Sequence, residues 1–368
     1  FRHCLNDCNP VTLKEHKKEL VALCRRYGTP KYVNGGGGNI SWKNENTLWI
    51  KASGTYLSQA GKDTLVAVKR EPLQDLYRLP APENSNQREA WAIQIIQSAV
   101  AESESGKRPS VETPLHDLLS AAFVVHTHPP LVNGMTCARD AESACRTLFP
   151  EAMWMPYVDP GVTLSLQAKQ QIDEYVGIHG REPSIIFMQN HGLVVTADEL
   201  SEIDRIHQQV FEVLKNSYRR AGVDTSRPVF QFEQATRHSP GLIDQDVQAA
   251  VILECNGISP APGPLTPDHI VYSGVEPLQL IDEESVRRYR EKIGTEPQLI
   301  IDEGSLYALG STYSQAVVAC ELAADGEHVL RLTDAFGGVN YMTEEQWRFV
   351  VGWEAESYRQ AVARNSQH

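Results

Sequence analysis

The chain has 368 residues and a formal net charge of −13, more residues than a single hydrophobic core usually organises, so one large domain plus a smaller one is expected. The acidic balance argues against any general affinity for nucleic acid or an anionic membrane, because both rely on Lys and Arg to neutralise phosphate. No apolar run reaches the length of a membrane span and the N-terminus lacks the layout of a signal peptide; 7 scattered cysteines without a Cys-x-x-Cys pair fit reduced thiols, and the cytoplasm is the expected compartment.

Thr12, Leu13, Lys14 and Glu15 form a capping-box pattern that opens the first helix, with Leu20, Leu23, Cys24 and Tyr27 at helical spacing and Gly28 as its stop. Residues 39–42 and 47–50 predict a strand pair around the polar turn 43–46, closed by a turn at 52–54. Residues 87–101 predict a helix with Ala90, Ile93, Ile96 and Val100 on its apolar side. A shorter helix starts at Val111 and carries Glu112, His116, Leu119 and Phe123 in near-helical register, before 123–125 becomes a strand halted by Pro129 and Pro130.

Residues 155–161 read as a loop, 164–176 as a helix ended by Gly177, and 185–188 as a strand. A long helix over 198–221 puts Ile203, Ile206, Val210 and Val213 on its core side and stops at Gly222. The polar, irregular stretch 230–241 and the Pro/Gly-rich run 260–264 mark breakpoints, so the expected domains are 1–240 and 241–368. In the second, strands at 270–272, 278–281, 299–301 and 329–332 alternate with helices at 283–292 and 313–324, an α/β rhythm. Residues 302–310 lack the G-x-G-x-x-G spacing and put Asp302 and Glu303 where a dinucleotide phosphate would sit, which argues against a nucleotide site there. The helix from Thr343 onward is expected to pack on this domain or on a neighbouring subunit.

The chemistry concentrates at strand ends. His126 and His128 flank Thr127, and because side-chain direction repeats every two residues along a strand, both imidazoles lie on one face. His191, in Asn190-His191-Gly192 at the end of the 185–188 strand, supplies a third. A single strand-end histidine is usually just a satisfied polar residue; two strand ends, one carrying a pair, point to a metal. Three imidazoles with an open fourth position suit zinc or another divalent transition metal in a catalytic setting, where the ion binds substrate. Glu112 can reach the open side as ligand or base, although spacing alone describes it equally as a helix-start carboxylate favoured by the dipole. His116, one turn on, either joins the site or is a buried histidine. Asn39, Ser41, Ser53, Gly54 and Ser110 offer hydroxyls, an amide and bare N–H groups from three loops, the makings of a phosphate nest. The glycines 35–38 alone would read as a flexible turn.

These motifs, Gly38-Asn39-Ile40-Ser41, Lys51-Ala52-Ser53-Gly54, Ser110-Val111-Glu112-Thr113-Pro114-Leu115-His116, His126-Thr127-His128-Pro129 and Asn190-His191-Gly192, stand in the order found in the class II aldolase/adducin family, which the chain resembles over roughly residues 10–225. Within it the chain looks most like the aldolase portion of proteins that fuse a rhamnulose-1-phosphate aldolase to an alcohol dehydrogenase, with no dehydrogenase domain expected in this sequence. The resemblance implies a three-layer α/β/α, fuculose-phosphate aldolase-like domain followed by a smaller C-terminal α/β domain. It implies zinc on His126, His128 and His191, Glu112 as acid/base, and Gly38, Asn39, Ser53, Gly54 and Ser110 as phosphate-binding residues. Family aldolases also use a tyrosine as proton donor, for which Tyr157 is the candidate, and Val111 departs from the second small hydroxyl residue common at its position.

The implied activity is cleavage of a ketose 1-phosphate to dihydroxyacetone phosphate and an aldehyde, by a homo-oligomer with a tetramer as one candidate. The same scaffold hosts 4-epimerases, decarboxylases and dehydratases, and adducin-like relatives keep it as a binding module without the metal; the intact His126, His128, His191 and Glu112 argue against that last alternative. The role of residues 241–368 is expected to lie in assembly or in covering the site.

Overall fold

The structure is a computed structural model that describes residues 10–104, 106–234, 249–282 and 284–353, without the side chains of 10–14, 62, 86 and 103. Cys4, Cys8 and the chain after residue 353 lie outside the described residues.

Seven strands form the first sheet: β1 (Asn39–Lys43), β2 (Thr47–Lys51), β3 (Leu65–Lys69), β4 (Phe123–Thr127), β5 (Met153–Met155), β6 (Ile185–Met188) and β7 (Gly192–Ala197). Their spatial order is β3-β2-β1-β4-β7-β6-β5, antiparallel except for the β5–β6 pair. Alternation decides what each face buries. Phe123 and Val125 of β4, Leu193 and Val195 of β7, and Phe187 of β6 enter one apolar cluster, while Val124, Val194, Ile186 and Met188 enter another on the opposite face. The first cluster is roofed by the helices Pro10–Tyr27 and Leu200–Arg220, through Leu20, Leu23, Cys24, Ile203, Ile206 and Val210. The second is roofed by Val162–His179, through Leu164, Ala168 and Ile172. The result is a three-layer α/β/α sandwich.

Strands β1, β2, β4 and β6 were legible in the sequence; β7, which lies between β4 and β6, and parts of the frame were not. The helix expected over 164–176 runs to His179 and is ended by Gly180 in the left-handed region, with Gly177 inside it. Strand β3, absent from the expected elements, is buried at four of its five positions, so its near-continuous apolar run carries no alternation to mark it.

A second sheet has the order β10-β11-β12-β9-β8, with β8 (Gln231–Gln234), β9 (Val251–Asn256), β10 (Leu278–Gln279), β11 (Leu299–Asp302) and β12 (Ser305–Gly310). Residues 231–234, expected to be irregular, thus form an edge strand on β9. Two expected strands are helical. Residues 270–272 lie in the helix Pro267–Ser273, because Thr266 caps it by accepting the His269 N–H and Pro267 stands in its first turn, signals that outweigh the β-branched pair Ile270-Val271. Residues 329–332 are the last turn of one long helix, Tyr313–Thr333, capped by Thr312, which continues through Gly326 instead of ending near 324. Cys255 of β9 and Cys320 of that helix form a disulfide, Cα atoms 6.2 Å apart, which corrects the expectation of reduced thiols throughout; Cys24, Cys137 and Cys145 are free and buried.

Leu332 and Phe336, at the end of the long helix, belong to the first sheet's core cluster, so the second region is packed into the first. No helix among the described residues is long and apolar enough to cross a membrane.

Candidate metal centre

His126 stands in β4 opposite Asn39 of β1 and Val194 of β7, on the face shared with Val124. His128 follows just past the strand, where its N–H donates to the Tyr32 carbonyl at 2.9 Å before Pro129 and Pro130 turn the chain into the helix Pro130–Thr136. His191 sits between β6 and β7 in a tight connection whose Asn190 adopts φ 50°, the left-handed region that Asn tolerates better than most residues. Gly192 permits the closeness of the two strand ends, since a Cβ there would meet the Thr127 carbonyl oxygen at 2.4 Å and His128 Cδ2 at 2.7 Å.

The three rings converge: ligand nitrogens of His126, His128 and His191 all lie within 4.8 Å of one another, and the Nε2 atoms of His126 and His128 are 3.1 Å apart. Two nitrogens bound tetrahedrally to zinc at about 2.0–2.1 Å stand roughly 3.3 Å apart, so the donor set and its spacing fit a divalent metal. The outer nitrogens are held by carboxylates. His126 Nδ1–H donates to Glu112 at 3.1 Å and His128 Nδ1–H to Asp268 at 2.5 Å, an arrangement that leaves each Nε2 lone pair facing inward.

Glu112 is the N-cap residue of the short helix Thr113–Leu118, not an exposed helix-start acid, and is 4% exposed. One carboxylate oxygen lies on His126 and receives the Asn39 amide N–H; the other is 3.5 Å from His191 Nε2. Burial would raise this carboxyl, but the His126 and His191 rings more than offset it and hold it well below the ordinary carboxylate range. Burial lowers His126 to about 4 against the pull of Glu112, so its imidazole is neutral at pH 7, as a metal ligand must be. His116 is also fully buried, lowered to about 3 first by burial and then by His126, and its Nδ1 pairs with the Ser41 hydroxyl at 2.7 Å. It supports the site from behind.

The expected phosphate residues gather on the same side. Gly38 has φ 68°, and a Cβ there would press to 2.9 Å on the His126 carbonyl oxygen, so only glycine fits between β1 and β4. Asn39 Oδ1 is buried without a hydrogen-bond partner. The Ser110 hydroxyl accepts the Glu112 N–H at 3.2 Å, the Ser53 N–H donates to the Arg108 carbonyl at 2.8 Å, and Ala52 bridges Pro109, which brings the 52–54 turn beside Ser110. Gly54, at φ 78°, completes that turn. Val111, where a second hydroxyl residue was looked for, packs with Trp353 in an apolar cluster of its own.

Tyr157 lies elsewhere: its ring packs on the second region's cluster with Ile270, Trp347 and Val350, its N–H donates to Gln189, and burial followed by Asp159 pushes its phenol up. Sequence reasoning also passed over three residues around the site. Lys51 is buried and donates to the carbonyls of Gly36 at 2.9 Å and Thr55 at 2.8 Å, tying the glycine loop to the 52–54 turn. Asp268 and Tyr272, one turn apart on the Pro267–Ser273 helix, lie against Gly37 and Gly36. The Lys51-Ala52-Ser53-Gly54 motif was a signal for the first; the other two come from a region with no motif near them.

Residues 18–210 match the Class II Aldolase and Adducin N-terminal domain family. A protein of Bacillus subtilis (strain 168) described as an uncharacterized oxidoreductase, YuxG, is 27% identical over 212 residues, 55% of this chain and 29% of that protein. The chain thus covers less than a third of that relative. Among solved structures, the N-terminal class II aldolase domain of a conserved protein from Thermoplasma acidophilum is 21% identical with a TM-score of 0.46, covering 59% of this chain and 96% of that one. An L-fuculose-1-phosphate aldolase from Thermus thermophilus is 15% identical with a TM-score of 0.38, covering 56% of this chain and 95% of that one.

Proposed function

This chain belongs to the class II aldolase and adducin family, and on that premise we propose that it is a zinc-dependent aldehyde-lyase that cleaves a ketose 1-phosphate of the rhamnulose- or fuculose-1-phosphate type into dihydroxyacetone phosphate and an aldehyde. The observation that carries this reading is the convergence of His126, His128 and His191 on one point with the Glu112 carboxylate beside it. A binding module without chemistry has no use for three converging imidazoles and an ionised buried acid.

His126, His128 and His191 would hold the zinc, which when bound would supply Lewis-acid polarisation of the substrate carbonyl. Glu112 is the acid/base: its oxygen near His191 takes the proton at the carbon beside the carbonyl in condensation and returns it in cleavage. The Asn39 amide and the His126 Nδ1–H fix the other oxygen, so the carboxylate presents one edge to substrate. The Asn39 amide, the Ser53 and Ser110 hydroxyls and the N–H groups of Gly38 and Gly54 hold the phosphate, and the unpartnered Asn39 Oδ1 is left to accept a substrate hydroxyl. The reading carries with it a cytoplasmic homo-oligomer, with a tetramer as first candidate.

The test is a panel of ketose 1-phosphates and sugar-acid phosphates assayed with and without added zinc. Release of dihydroxyacetone phosphate only from ketose 1-phosphates, abolished by chelation and restored by zinc, supports the aldolase. Turnover of a sugar-acid phosphate, or epimerisation without cleavage, replaces it with another metal-assisted reaction at the same residues.

A further inference from the structure

The helix Pro267–Ser273 belongs to the second region in sequence, yet it lies on the glycine run of the first. A Cβ at Gly37 would come 2.0 Å from Asp268 Oδ2, and one at Gly36 would come 2.5 Å from the Tyr272 hydroxyl. These glycines therefore serve close approach by a helix. The segment leading into that helix is fastened to both histidine-bearing strand ends: Asn190 Nδ2 donates to the Leu265 carbonyl at 2.9 Å and the Asn340 carbonyl at 2.8 Å, and the Asp268 carboxylate, 8% exposed on its side chain, receives His128 Nδ1–H at 2.5 Å.

We propose that Asp268 is a positioning residue of the metal centre, supplied by the C-terminal region, which sets the tautomer and ring orientation of His128. A carboxylate on Nδ1 places the proton there, leaves Nε2 as the ligand atom, and makes the ring a stronger donor. Removing it takes away the hydrogen bond that fixes which nitrogen of His128 faces inward. The inference deepens the metal-centre reading and rests on it. It gives residues beyond the family-matched 18–210 a direct part in the site.

The experiment uses the full chain, stripped of metal, and titrates zinc against a competing chelator, with the visible absorption of the cobalt-substituted protein as a second readout. Asp268→Ala is expected to weaken metal binding by about 10- to 100-fold and to change the cobalt spectrum. Asp268→Asn, whose amide oxygen still accepts Nδ1–H, is expected to lose less. Gly37→Ala, which pushes the carboxylate aside without removing it, is expected to weaken binding in the same direction. Wild-type affinity and an unchanged cobalt spectrum in Asp268→Ala overturn the proposal; should that variant not fold, the same result in Asp268→Asn and Gly37→Ala does so. A wild-type protein that binds no metal overturns the metal centre as well, whereas normal binding in wild type and variants alike removes only the role of Asp268.

Discussion

The two sheets of this molecule contribute to the site in opposite ways. In the first, the chemistry stands at the ends of the central strands β4 and β7, where His126, His128 and His191 are brought together by strand register. In the second, no strand residue reaches the site among the described contacts; the region acts through the Pro267–Ser273 helix, which meets the glycine run and His128. The difference teaches that groups reacting with substrate are carried by a short-range geometry a sequence can display, whereas the groups that hold them come from wherever packing brings a side chain.

The sharpest way to break this division is at Glu112. Glu112→Gln is expected to lower kcat by about 100- to 10,000-fold with metal content retained, measured by steady-state kinetics beside metal analysis. Near-normal turnover would return Glu112 to a capping residue and leave the first sheet without an acid/base. Next in size, Ser53→Ala is expected to weaken a phosphorylated substrate by about 10- to 100-fold in kcat/KM, the scale of a lost hydrogen bond to a charged group, while sparing any non-phosphorylated analogue. Equal losses on both would remove the phosphate from that pocket.

The seam between the regions is tested by Asn190→Ala. It strips hydrogen bonds from the carbonyls of Leu265 and Asn340 and puts alanine at φ 50°, so a loss of about 1–3 kcal/mol in urea unfolding is expected. Unchanged stability would mean the strand end and the second region are fastened elsewhere. A further effect is on acid stability of the metal-free protein. Burial lowers His207 and His328 to about 4 from 6.5. The unfolded chain therefore takes up protons near 6.5 that the folded chain refuses until about 4, and stability present above 6.5 is lost as pH falls through that window. Tm measured from about pH 7.5 to 4 checks it, and His207→Gln is expected to flatten the slope.

What was legible follows the same division. Strands β1, β2, β4 and β6 and the three histidines were visible because alternation, turn residues and a His-x-His pair are local. Glu112 was visible as a candidate but its burial was not, since that depends on β1 and β4 closing over it. Asp268 was invisible: Ile270-Val271-Tyr272 looks like a strand, and its β-branched composition masks the capping by Thr266 that makes it a helix. The strand expected at 329–332 failed for a similar reason, since Val329 and Leu332 are buried by packing a helix end on the first region's core and its margin. The resemblance to a family located the residues of β1, β4 and β7, and had nothing to say about a carboxylate arriving from residue 268.

The most direct measurement of the central claim is the metal content of the purified protein, set against that of the His126→Ala, His191→Ala double variant. The account expects about one divalent transition metal, zinc first, per chain in the wild type, and none retained through dialysis in the variant. Equal metal in both proteins would contradict it.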